Sequence, residues 1–295
     1  MRYAIALALL FLFAGACGSS DDALPSPAPS TPVPVPVPWL RVIPSDDGRI
    51  GGAPLYIALG DSLSAGVGAS NYVEKGFVGL VHDKLGPEFA LLNLGIAGDT
   101  SRELIEEGPL DRVIAEIEQR NYDDNADNNV TVVTLEIGGN DLLDLFFDLV
   151  LPGRCPSVSQ GLERPECVDA LRETLDAYEP NLVLILDRLH EADAQLPIFL
   201  MTLYNPFSGG ASPLLDEIGE LALEGAPDTP FLEGLQDIIR RQAEANDVPL
   251  VEVYPHFEGK AREYIASDTI HPNDTGYQVM ADAVLAEMRE AGLLD

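Results

Sequence analysis

Positive charge is scarce in this chain. Its 295 residues hold 17 Lys and Arg against 49 Asp and Glu, a net charge of −32. Neutralising phosphates takes clusters of Lys and Arg, so this balance argues against a nucleic-acid binder. It also argues against an electrostatic grip on an anionic membrane. Only Lys75, Lys84 and Lys260 represent lysine. Such an acidic, Lys-poor surface suits salty surroundings, and genomic base composition produces the same bias. Cysteine is also rare: there are three, with no Cys-x-x-Cys, so no zinc ribbon, thioredoxin site or disulfide scaffold is indicated. Gly66-Val67-Gly68 is not completed by a third glycine and gives no dinucleotide site. Asp123 to Asn129 resembles half a calcium loop. It lacks the turn glycine, and Thr134 stands where a bidentate Glu belongs, so no metal is expected and the stretch reads as an acidic loop.

What is present is ample apolar content, 46% of residues, enough for a sizeable core. The chain starts Met1-Arg2-Tyr3 and continues in an apolar run from Ala4 to Phe13 that is too short to span a bilayer. Small residues Ala14-Gly15-Ala16 precede Cys17, so residues 1–16 read as an export signal. Ala14-x-Ala16 suits ordinary signal peptidase. The same stretch resembles a bacterial lipobox, with Ala14 in place of the usual Leu. Cys155 and Cys167 are close enough to pair, which leaves Cys17 odd in an oxidising compartment and favours its lipidation over plain secretion. Alternating prolines from Leu24 to Pro38 favour extended polyproline II, so residues 17–53 read as a tether. Residues 54–295 are then one domain, anchored at the cell envelope or, without the lipid, secreted or periplasmic.

Apolar runs at Leu55–Leu59, Phe89–Leu94, Val130–Ile137, Pro197–Leu203 and Pro249–Tyr254 are mostly continuous, as in strands buried on both faces. Helical patterns fall between them at Val73–Leu85, Arg102–Arg120, Cys167–Ala192, Phe231–Ala245 and Gly276–Met288. The alternation predicts an α/β fold with a five-stranded parallel sheet and helices on both faces. Ligands in such sheets sit at the C-terminal strand ends. Two long stretches leave that edge, 142–166 and 204–230. They read equally as binding loops or as surface insertions. The apolar run Leu142–Leu151 reads as a core-packing helix or as the wall of an acyl pocket. The Cys155–Cys167 bridge would then rigidify the rim.

Four strand-end blocks carry chemistry. Gly60-Asp61-Ser62-Leu63-Ser64 exposes a serine where the first strand ends, without a Gly-x-Ser-x-Gly elbow. Asn93 to Ser101 contains Gly95 and Gly98, where backbone N–H groups can meet a ligand. Glu136-Ile137-Gly138-Gly139-Asn140-Asp141 places an amide after two glycines. In Asp268-Thr269-Ile270-His271-Pro272-Asn273, the Asp can orient the imidazole through Nδ1–H and leave Nε2 to accept a proton. His82, His190 and His256 have no such Asp and read as packing or surface residues.

In this order, the four blocks resemble the SGNH hydrolases, also called GDSL esterases and lipases, from about Leu55 to Met288. The resemblance implies a flavodoxin-like three-layer α/β/α sandwich. It implies that Ser62 is the nucleophile, His271 the base and Asp268 its partner. The oxyanion hole would be the N–H groups of Ser62 and Gly98 with the Asn140 side chain. No cofactor is implied. The expected function is that of an exported serine esterase hydrolysing acyl esters, such as short- or medium-chain acylglycerols or lysophospholipids, by an acyl-enzyme route. The alternatives are a carbohydrate O-deacetylase and a non-catalytic binding lipoprotein. An imidazole base predicts activity falling below about pH 6.

Overall fold

A computed structural model of the protein describes residues 41–43 and 52–294. The signal segment, Cys17 and the proline run lie outside the described residues. Six strands form one sheet: β1 (Arg41–Ile43), β2 (Leu55–Gly60), β3 (Ala90–Gly95), β4 (Val130–Glu136), β5 (Ile198–Met201) and β6 (Leu250–Val251). Their order is β1-β3-β2-β4-β5-β6. The five strands β2 to β6 are parallel, as expected. β1 is an addition. It lies inside the segment read as tether and pairs antiparallel with β3, Arg41 opposite Asn93. Its three residues are too few to show a strand period in sequence.

The helices are α1 (Ser62–Ala65), α2 (Phe77–Leu85), α3 (Ser101–Glu106), α4 (Pro109–Arg120), α5 (Gly139–Leu145), α6 (Val158–Leu162), α7 (Pro165–Ala192), α8 (Pro213–Glu224), α9 (Leu235–Ala245), α10 (Tyr254–Phe257), α11 (Ala261–Tyr264) and α12 (Asp274–Glu290). The helix expected over Arg102–Arg120 is two helices. Gly108 takes φ +108° and Pro109 starts the second, where its missing N–H is harmless. The helix expected from Val73 begins at Phe77, and the one expected from Phe231 begins at Leu235.

Strand alternation splits the core into two. Leu55, Ile57 and Leu59 of β2 pack with Val113 and Ile117 of α4, Leu182 and Ile185 of α7, and Ile238 of α9. Tyr56 and Ala58 face the other way, onto Phe77 and Val81 of α2 and onto Tyr277, Met280 and Val284 of α12. Both sheet faces are dry, which explains the continuous apolar runs. The parallel strands run β3-β2-β4-β5-β6, so the winding reverses between β2 and β4. The crevice at the C-terminal ends of these two strands is the place for a ligand in such a sheet.

Candidate active site

Ser62 stands where β2 gives way to α1. Asp61 caps that short helix, its Oδ1 accepting the Leu63 N–H at 2.9 Å. The helix closes at once on Gly66, whose φ of +81° a side chain would resist. The turn therefore holds Ser62 at the switch point. From the far end of the chain comes the segment between α11 and α12, with His271 Nε2 3.0 Å from Ser62 Oγ. His271 Nδ1 is 2.7 Å from Asp268 Oδ2. Asp268 Oδ1 accepts the N–H groups of Ile270 and His271 at 3.1 and 3.0 Å. Partial burial pushes the Asp268 carboxyl up, but the N–H groups of His271 and Ile270, then the His271 ring, outweigh it and hold it below the ordinary carboxylate range. An ionised Asp268 accepts from Nδ1–H, so Nε2 faces Ser62 as an acceptor. Thr269, between the two, has φ +69°, a strained conformation for a β-branched residue.

Two further strand ends lie at the same edge of the sheet. Gly98 follows β3 with φ +94°, and a Cβ there would meet nothing within 4 Å; the glycine is required by conformation rather than space. Asn140 follows β4 on α5. Its Nδ2 donates to the Asp99 carbonyl at 2.9 Å and to Asp61 Oδ2 at 3.0 Å. The structure thus brings Ser62, His271, Asp268, Gly98 and Asn140 to one edge. A hydroxyl, an oriented imidazole and an amide assembled this way can attack an ester carbonyl and hold the charge that forms.

The sequence matches the GDSL-like Lipase/Acylhydrolase family over residues 58–279. The chain belongs to this family. It is a carboxylic ester hydrolase with the α/β fold of SGNH/GDSL hydrolases. It is similar to the spore germination lipase LipC of Bacillus licheniformis, 23% identical over 239 residues that cover 78% of this chain and 94% of that one. Among solved structures it is similar to the lipase Lip_vut3 from a goat rumen metagenome, with TM-score 0.57, 21% identity, and coverage of 80% of this chain and 97% of that one. It is also similar in fold to Axe2, an acetylxylan esterase from Geobacillus stearothermophilus, with TM-score 0.53, 20% identity, and coverage of 81% and 95%.

The GDSL hydrolase carries a mostly apolar cavity of about 190 Å³ beside Ser62 and His271. Its walls are the two long stretches noted in sequence. From the first come Leu142, Phe146 and Leu149; from the second, Phe207, Leu221 and Leu223. Phe146 stacks on Phe207, ring centroids 5.6 Å apart, so the two stretches meet. Leu142–Leu145 is the end of α5, and the run continues from Phe146 as a wider π-turn to Val150. The run lines this cavity, and Leu142 also packs on the core. Cys155 and Cys167 are joined by a disulfide, and both line the cavity.

Several supporting residues were not singled out in sequence. Gly68, discarded with a failed dinucleotide motif, packs under the imidazole; a Cβ there would lie 2.8 Å from His271 Cβ and 2.5 Å from the Pro272 carbonyl. Ser70 donates through N–H and hydroxyl to Asp274, at 2.7 and 2.6 Å, tying the Ser62 loop to the helix after His271. Asp141 accepts from Ser101 N–H and Oγ at 2.9 and 2.6 Å, locking the Gly98 turn to the Asn140 turn. His82 bonds the Phe89 carbonyl at 3.0 Å, a packing role. Asp123 accepts from Asn125 N–H and the Asn128 amide, and no metal-type cluster occurs among the described residues.

Proposed function

We propose that the protein is an exported serine esterase that cleaves acyl esters of medium-length or longer chains through an acyl-enzyme. The observation that carries this reading is that the Ser62–His271–Asp268 relay opens onto an apolar cavity walled by both long stretches. The acyl chain lies in that cavity, and the alcohol points to solvent. His271 Nε2 takes the Ser62 proton as Oγ attacks the carbonyl carbon. The N–H groups of Ser62 and Gly98 hold the oxyanion, which also draws one Asn140 amide hydrogen from its resting acceptors. The proton then passes to the leaving alkoxide, the ester C–O bond breaks, and water releases the acid by the same relay. Export and attachment through a lipidated Cys17 are supported by the charged start, the short apolar run and the odd cysteine.

The test is hydrolysis of p-nitrophenyl esters from acetyl to dodecanoyl. The expected optimum lies beyond butanoyl, and Ser62→Ala is expected to lose roughly three orders of magnitude or more in kcat. An optimum at acetyl would favour a carbohydrate O-deacetylase instead. A folded wild type with no turnover on any ester, acylated sugars included, would favour a binding lipoprotein.

A further inference from the structure

Glu136 ends β4 and is the Cα partner of Gly60 on β2. Thr134, two residues earlier, bonds Tyr56 at 2.9 Å, so alternation puts Glu136 on that same sheet face, next to the start of α1. Its side chain is fully buried, neither carboxylate oxygen makes a well-formed hydrogen bond, and the groups nearest to it are the Asp61 and Ser64 N–H groups and the Asp61 carboxyl. The hydroxyl of Ser64 on α1 is likewise buried and unpaired. Gly60 leaves room there, since a Cβ would lie 2.5 Å from Ser64 Oγ. The strongest charged neighbour of Glu136 is the Asp61 carboxyl. Two carboxylates are acceptors only and cannot bond each other; one proton turns one of them into a donor.

Asp61 is the hub of the nucleophile side. Its Oδ1 accepts the Leu63 N–H and lies 3.4 Å from Ser62 Oγ; its Oδ2 accepts from Asn140. Whatever orients this carboxyl orients the serine turn and the amide together. We propose that Glu136 is a positioning residue that keeps one proton shared with Asp61 and, as donor to that carboxylate, fixes the oxygens holding Leu63 and Asn140. The pair then carries one negative charge instead of two beside the developing oxyanion. The proposal rests on the Ser62 mechanism above.

Burial, then the Asp61 charge, push the Glu136 carboxyl well above the ordinary carboxylate range, the direction that favours its holding a proton. Burial also pushes Asp61 up, to about 6, against the pull of the Leu63 N–H and the His271 ring. The other titratable groups around the pair are the hydroxyls of Tyr56, Tyr178, Tyr204 and Tyr277, which burial keeps protonated, and the carboxyls of Asp141 and Asp268. A carboxyl with a raised folded value adds stability that is full at acid pH and is lost as pH rises through that value.

The experiment compares infrared spectra of the full chain at pH 7 for wild type, Glu136→Gln and Ser62→Ala. A protonated-carboxyl band is expected in wild type and in Ser62→Ala, and is expected to vanish in Glu136→Gln. Kinetics on p-nitrophenyl acetate extend the test. Glu136→Gln keeps a donor and is expected within about threefold of wild-type kcat, without the alkaline fall that Glu136 ionisation gives wild type. Glu136→Ala is expected to lose about tenfold or more in kcat at unchanged KM. No band in wild type, Glu136→Ala with wild-type kcat, or Glu136→Gln as impaired as Glu136→Ala would each overturn the proposal. Should Glu136→Ala fail to fold, the band and the Glu136→Gln profile decide. If Ser62→Ala keeps both the band and its turnover, the Ser62 reading fails while the carboxyl pair stands.

Discussion

The edge of the sheet is built in two styles. Ser62, Gly98 and Asn140 leave their strands in short turns, the first two fixed by hydrogen bonds within a few residues and the third by bonds to the neighbouring turns. Asp61 caps the first, Thr100 and Glu103 close a capping box after the second, and Asp141 ties the third to Ser101. The two stretches over the cavity are long and turn apolar side chains into it. One is stapled by Cys155–Cys167. The other is pinned at its ends, where Asn205 bonds Asp216 and Glu220, and Arg240 bridges Glu224 and Glu252. Short polar turns give fixed distances for chemistry; long apolar walls give a shape that can differ without disturbing the reacting atoms. The contrast predicts that damage to a turn lowers turnover on every ester, whereas damage to a wall changes which ester is preferred.

The largest effect should come from the turns. Asn140→Ala removes the amide proposed as an oxyanion donor and is expected to lower kcat by about 10²–10³ at nearly constant KM, read from initial rates on a short ester. A smaller effect should come from the walls. Leu149→Trp fills the cavity, and we expect about a tenfold loss on dodecanoyl esters with acetyl hydrolysis within twofold of wild type. Equal losses on both esters would erase the distinction between turn and wall. The least catalytic change is loss of the staple. Cys155 and Cys167 are separated by 12 residues, so Cys155→Ser with Cys167→Ser should cost about 3 kcal/mol in urea unfolding. Activity on acetyl esters should survive where the variant remains folded.

Much of this was readable before the fold. The catalytic-edge blocks are local: Gly60-Asp61-Ser62 and Gly138-Gly139-Asn140 announce a strand ending in a turn, and Asp268 with His271 needs only a three-residue spacing. The five parallel strands were legible because burial on both faces makes them continuously apolar. What escaped depends on contacts between distant segments. Gly68 matters because His271 lies over it, 203 positions along the chain from it in the numbering. Glu136 reads as the last letter of a strand, and only the register against Gly60 places it beside Asp61. β1 is too short for a period, and its partner lies some fifty residues onward. The break at Gly108-Pro109 was visible in the residues themselves, because glycine before proline is a common way to end one helix and begin another.

The central claim is that Ser62 forms the covalent intermediate while its acyl group lies between the two walls. The most direct measurement is labelling by fluorophosphonates bearing an ethyl or a dodecyl chain, with the modified peptide identified by mass spectrometry. The account predicts a single adduct on Ser62, faster with dodecyl than with ethyl, and none in Ser62→Ala. An adduct on another residue, or an ethyl reagent that outpaces dodecyl, would contradict it.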